Sequence, residues 1–127
     1  MKKQIVRTPL GPAAIGPYSP AVKVGGMIFV SGQVPLDPAT GDLIEDKSIQ
    51  EQTRRALQNM QGILAAAGAS LRDVVRTTVY LTDLKSFGEM NTVYAEYFHT
   101  QPPARSTVEV SRLPKDVAIE IDCIAVV

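Results

Sequence analysis

The 127-residue sequence has one cysteine and no net charge, and each scarcity removes a class of function. A lone cysteine, Cys123, cannot close an intramolecular disulfide and cannot build a multi-thiolate metal site. Thirteen basic and thirteen acidic side chains cancel, so no long-range positive field draws in phosphate backbones and nucleic acid is not the expected partner. No apolar run approaches membrane-spanning length. Met1-Lys2-Lys3 is basic, but Gln4 to Gly16 lacks the continuous apolar stretch of a secretory signal, and a cytoplasmic location is expected. Internal repeats and low-complexity tracts are missing as well.

What remains is an ordinary globular composition, 45% hydrophobic and 20% charged. The length predicts a single domain over residues 1–127, without a linker. A chain of this size buries about two-thirds of its unfolded surface, so a leftover apolar patch is expected to be covered by another subunit.

Gly25-Gly26 between Ala21-Val22-Lys23-Val24 and Met27-Ile28-Phe29-Val30 predicts a tight β-hairpin, because glycine tolerates positive φ. Pro35 to Gly41 is dense in turn formers and predicts an exposed loop. Ser48 and Glu51 form a capping-box pattern ahead of Ala56, Leu57, Met60, Ile63, Leu64 and Ala67, which recur at helical spacing until Gly68. The β-branched run Val74 to Leu81 predicts a strand, and Phe87, Met90, Tyr94 and Tyr97 predict a second helix before Pro102-Pro103. Two more alternating runs, Ala104 to Val110 and Val117 to Val127, are separated by Ser111 to Asp116, a length that predicts an antiparallel hairpin. The order of elements gives an α+β fold, a mixed β-sheet with two helices packed on one face.

In the last strand Val117, Ile119, Ile121, Cys123, Ala125 and Val127 share one face, which belongs under the helices. Ala118, Glu120, Asp122, Ile124 and Val126 form the other, a mixed surface suited to a subunit interface. In the preceding strand Arg105, Thr107 and Glu109 share a face. The predicted hairpin register sets Thr107 opposite Glu120 and Arg105 opposite Asp122, with Glu120 diagonal to Arg105. Two explanations stand side by side: a cross-strand salt bridge on the sheet surface, or a guanidinium and a carboxylate flanking a small polar site.

The segments Pro103-Ala104-Arg105-Ser106-Thr107-Val108-Glu109-Val110, Arg112-Leu113-Pro114-Lys115-Asp116 and Ile119-Glu120-Ile121 strongly resemble the Rid, or YjgF-type, reactive intermediate deaminases. The likeness begins near Ala14-Ile15-Gly16-Pro17-Tyr18-Ser19-Pro20-Ala21. It continues through Phe29-Val30-Ser31-Gly32-Gln33, Asn59 and Ala66-Ala67-Gly68, and its arginine motif is similar to that of the active RidA branch. The resemblance implies a chorismate mutase-like (YjgF-like) fold and a homotrimer with clefts between subunits. It implies that Arg105 holds a substrate carboxylate, that Glu120 positions the hydrolytic water, and that Tyr18, Ser31, Gly32 and Asn91 line the cleft. The implied substrates are enamine/imine products of pyridoxal phosphate enzymes, with 2-iminopropanoate and 2-iminobutanoate foremost, hydrolysed to 2-keto acids and ammonia as metabolite damage control.

These residue types suit that chemistry. A guanidinium offers two parallel donors to a carboxylate and fixes its orientation better than a lysine point charge. Water addition to an imine needs a positioned carboxylate rather than a covalent nucleophile, and no metal or organic cofactor is expected. A non-catalytic trimer that binds small carboxylates in a regulatory role is the alternative, since fold and site shape do not establish chemistry. Ribonuclease activity is a third reading that the neutral charge disfavours.

Thr107 is a departure, because many active relatives carry cysteine there; a hydroxyl still donates or accepts a hydrogen bond. Each remaining candidate has a plainer explanation. Cys123 lies on the apolar face and reads as core packing; His99 reads as a helix-end residue. Tyr18 either packs over a sheet edge or lines the cleft, and Asn91 is either a solvated helix residue or a cleft residue. Ser31-Gly32 is either a bend or a point of close backbone approach.

Overall fold

The computed structural model describes residues 1–127. Its elements in chain order are β1 (Gln4–Val6), β2 (Ala21–Val24), β3 (Met27–Gln33), α1 (Ile49–Ala66), β4 (Val74–Leu81), α2 (Phe87–Tyr97), β5 (Ala104–Glu109) and β6 (Ile119–Val126). Short 3-10 turns at Leu71–Asp73, Leu84–Ser86 and Pro114–Asp116 precede β4, α2 and β6. The β2–β3 hairpin turns at Gly25, whose φ of 58° is the left-handed conformation expected there. Strand β1 is too short to carry a pattern of its own and exists through its pairing with β2.

Helix α1 starts at Ser48, whose hydroxyl accepts the Glu51 N–H at 3.2 Å. Only this half of the capping box forms, because the Glu51 carboxylate turns instead to Arg54 at 3.0 Å. Arg54 also reaches Glu96 on α2 at 2.6 Å, so the stronger attraction is a charged clip between the helices. Ala56, Leu57, Met60, Ile63 and Leu64 are fully buried, and the helix ends ahead of Gly68 at φ 82°.

The six strands run in the order β1-β2-β3-β6-β4-β5, and this overturns the predicted terminal hairpin. β5 does not pair with β6; it lies parallel to β4, which separates the two. Two physical reasons account for the correction. β4, α2 and β5 form a strand–helix–strand unit, whose crossover places its two strands side by side and parallel. The connection from Val110 to Ala118, folded around the 3-10 turn, is long enough to step across one strand at about 5 Å per step.

Both helices cover one sheet face, where Ile28, Val30, Val79, Leu81, Ile119, Ile121 and Cys123 are buried. The other face carries the exposed Met27, Phe29, Val108 and Val126 beside half-buried Glu120, Asp122 and Ile124. Val127 also remains exposed, against expectation, because it lies past the last paired residue of β6. The Pro35–Gly41 loop is likewise only partly exposed. Pro35 and Leu36 are buried, and Leu36 forms an isolated bridge with Leu43, so one apolar side chain pins a segment otherwise made of turn formers.

Candidate active site

Strand alternation now assigns the candidate residues to faces. Arg105 sits opposite Thr77 in β4, and Thr77 sits opposite Cys123 in β6. Arg105 and Thr107 therefore share the helix-covered face with Cys123, while Glu120 and Asp122 lie on the other. The predicted register is wrong in each pair: Glu120 faces Tyr80, Asp122 faces Thr78, and Thr107 faces Val79. A cross-strand salt bridge between Arg105 and either carboxylate of the same chain is thereby removed.

Two separate half-sites result. The first is a cleft of about 390 Å³ lined by Tyr18, Ser31, Gly32, Gln33, Pro114 and Glu120. Its floor is a β-bulge, since Val30 pairs with Cys123 and Gln33 with Ile121, leaving Ser31 and Gly32 to face Asp122 alone. The Ser31 hydroxyl donates to the Ser19 carbonyl at 2.6 Å and its amide to Pro20 at 3.0 Å, which fastens the Tyr18 segment to the bulge. Tyr18 is 49% exposed, and its hydroxyl accepts the Ile15 amide at 3.3 Å. Beyond the bulge, fully buried Asn59 donates to the Val34 and Leu36 carbonyls at 3.2 and 2.9 Å, anchoring the cleft wall to α1.

Glycine at position 32 is a matter of space. A Cβ built there would overlap the Glu120 carboxylate, so the bare backbone lets that group lie against the bulge. Burial, then the nearby Asp122 charge, pushes the Glu120 carboxyl above its ordinary value. Gly32→Ala is expected to keep the fold and to displace the Glu120 carboxylate from the bulge. Circular dichroism beside a crystal structure of the variant checks this; a Glu120 carboxylate unmoved against residue 32 contradicts it.

The second half-site is an open groove of about 490 Å³ lined by Asn91, Tyr94, Phe98, Pro102, Pro103 and Arg105. The Arg105 guanidinium carbon lies 4.7 Å from the Tyr94 ring centre and 5.4 Å from that of Phe87. Ion pairs in the chain involve Arg54 and Arg112, and Arg105 has no carboxylate partner. The structure thus brings together Tyr18, Ser31, Gly32 and Glu120 on one side, and Asn91 and Arg105 on the other, but not the two sets within one chain. Gln33, Pro114 and the rings under Arg105 were missed from sequence; Tyr94 and Phe87 looked like ordinary members of a helix's apolar stripe.

The remaining candidates are quickly placed. Cys123 is buried, and burial, then Asp122, pushes its thiol up to about 12, so it stays protonated at neutral pH and packs. His99 is exposed just past α2 and its Nδ1 bonds the Thr100 hydroxyl at 2.9 Å. Glu109 accepts the Leu84 amide at 2.9 Å, a tie between the end of β5 and the turn before α2. Thr107 Oγ1 is buried without a hydrogen-bond partner. Thr107→Val is expected to raise stability by about 1 kcal/mol, because an orphaned hydroxyl carries a desolvation cost. Denaturant midpoints at matched protein concentration measure this, and a lower midpoint contradicts it.

Comparison with known proteins agrees with this architecture. The profile of the family described as Endoribonuclease L-PSP matches residues 8–127. A RutC family protein of Pyrococcus abyssi is 56% identical over 125 residues, covering 98% of each chain. TdcF of Escherichia coli, whose name assigns it provisionally to the reactive intermediate deaminases, is 46% identical over 127 residues, 98% of this chain and 97% of TdcF. The crystal structure of TdcF with bound serine superposes with a TM-score of 0.92 at 45% identity, covering 98% of both chains. YyfA of Yersinia pestis, a protein of unknown function in the conserved Rid family, superposes with a TM-score of 0.95 at 44% identity over 99% of this chain and 100% of that one. The helix-covered mixed sheet, the bulged cleft and the matched length lead to one conclusion: this chain belongs to the endoribonuclease L-PSP family, which includes the Rid and YjgF-type proteins.

Proposed function

We propose that the protein is a single-domain, cytoplasmic deaminase that hydrolyses 2-imino acids, foremost 2-iminopropanoate and 2-iminobutanoate, to 2-keto acids and ammonia. The observation that carries the reading is Arg105: a half-buried guanidinium stacked on two rings, at an open groove, with no carboxylate of its own. Such a group is a ready receptor for a small carboxylate. The TdcF relative holds serine, a small molecule that carries a carboxylate.

Arg105 and Glu120 lie on opposite faces of one sheet, so a working site needs the groove of one subunit against the cleft of the next. A homotrimer closed around the uncovered sheet face supplies that arrangement and buries Met27, Phe29 and Val126. Arg105, with Asn91 and Thr107 beside it, then anchors the substrate. Glu120, against Gly32 and near Tyr18 and Ser31, orients water toward the imine carbon. Water adds across the C=N bond, the nitrogen gains protons, and the carbinolamine collapses to the keto acid as ammonia leaves. The result is removal of reactive imines before they damage other enzymes.

The test is imine decay in the presence of a threonine or serine dehydratase. Acceleration by the wild-type protein is expected. No acceleration, with small carboxylates still bound, would instead favour a binding module without turnover. Sedimentation of the purified chain checks the trimer.

A further inference from the structure

Arg105 is held by an arrangement outside the groove itself. Thr77, its register partner in β4, is fully buried, and its hydroxyl lies 2.7 Å from the Tyr94 hydroxyl on α2. Tyr94 is only 6% exposed, and its ring, 4.7 Å from the Arg105 guanidinium carbon, also packs at 4.7 Å between centres on Phe98. Strand, helix and guanidinium thus meet at one aromatic ring whose position is fixed at its polar end by a buried hydrogen bond.

An arginine side chain has several rotatable bonds and loses much rotamer freedom when immobilised. No ion pair within the chain limits Arg105; its contacts with Tyr94 and Phe87 are what do. Phe87 is itself 36% exposed and the looser of the two contacts. A guanidinium lying over a ring keeps its N–H donors at the edge, free for a ligand, whereas a salt bridge would consume them.

We propose that Tyr94, fixed by Thr77, is a positioning residue that pre-orients Arg105 for carboxylate capture. The proposal rests on the reading of Arg105 as the substrate anchor. Because the anchor grips the carboxylate both before and during reaction, loosening it weakens binding more than chemistry.

The experiment compares Tyr94→Phe, Tyr94→Leu, Thr77→Val and Arg105→Ala by steady-state imine hydrolysis and by calorimetric binding of pyruvate. Tyr94→Leu is expected to raise KM and the pyruvate Kd about tenfold, with kcat within about twofold. Tyr94→Phe keeps the ring, and together with Thr77→Val should raise them only about threefold. That graded KM effect, rescued by Phe, is not what a merely structural residue shows. If Tyr94→Leu does not fold, the Phe and Val variants carry the same comparison. Wild-type KM in these variants, or a fall in kcat at constant KM, overturns the proposal. Arg105→Ala separates the two readings: lost binding there with none lost at Tyr94 sinks only the positioning role, and unchanged binding there sinks both. If wild type binds pyruvate through Arg105 without turnover, the Kd series alone decides.

Discussion

Arg105→Ala is expected to lower kcat/KM for 2-iminopropanoate by about a hundredfold to a thousandfold. Losing one partner of a desolvated, hydrogen-bonded charge pair typically costs about 2–5 kcal/mol, and each 1.4 kcal/mol is a factor of ten. The fold should survive. The Arg105 side chain has no ion-pair partner within its chain, only the contacts with Tyr94 and Phe87, so the stability change should stay within about 1 kcal/mol. Arg105→Lys restores the charge but not the planar pair of donors and should recover only part of the rate. Initial rates of imine decay, set beside a thermal melt, measure both quantities. An alanine variant as active as wild type would falsify the anchor.

Glu120→Gln should act on the other kinetic constant, lowering kcat about a hundredfold while pyruvate binding changes little. The amide keeps the shape against Gly32 but loses the charge that accepts a proton from water. The pH dependence follows with a definite sign. Burial, then Asp122, raises the Glu120 carboxyl, so the required carboxylate is lost as pH falls through a value above the ordinary glutamate range. Asp122→Asn removes the second cause and should move that acid limb to lower pH, while Tyr80, which donates to Asp122 at 3.0 Å, stays in place. The same raised carboxyl contributes stability that is complete below the unfolded glutamate value and is lost as pH rises through the folded one. A pH–rate profile of wild type and Asp122→Asn checks the direction, and an acid limb displaced upward by the asparagine contradicts it.

Separate losses, of binding at Arg105 and of turnover at Glu120, would fit a site assembled from two subunits. Mixing the two inactive variants offers a direct consequence. A mixed oligomer can pair an intact groove with an intact cleft at some of its interfaces, and part of the activity should return.

Much of this was legible in the sequence because it depends on near neighbours along the chain. Period-two alternation and the 3.6-residue repeat identified β4, β6, α1 and α2. The hairpin glycines, the Ser48 cap and the apolar face of the last strand from Val117 to Ala125 follow from local rules. So does the sorting of Arg105 with Thr107 and of Glu120 with Asp122, since side chains two apart on a strand point the same way. Motif likeness named the residues worth following.

Which strands become neighbours is another matter, because pairing joins residues far apart in sequence and a short polar connection serves a hairpin or a step across a strand equally well. Only the tertiary structure set β4 between β5 and β6, turned Arg105 to the helix face and left Glu120 on the other. The aromatic seat of Arg105, the bulge at Ser31-Gly32 and the unpartnered Thr107 hydroxyl likewise arise where distant segments meet. Local chemistry determined what each residue can do; the order of strands decided which residues a single chain can bring together.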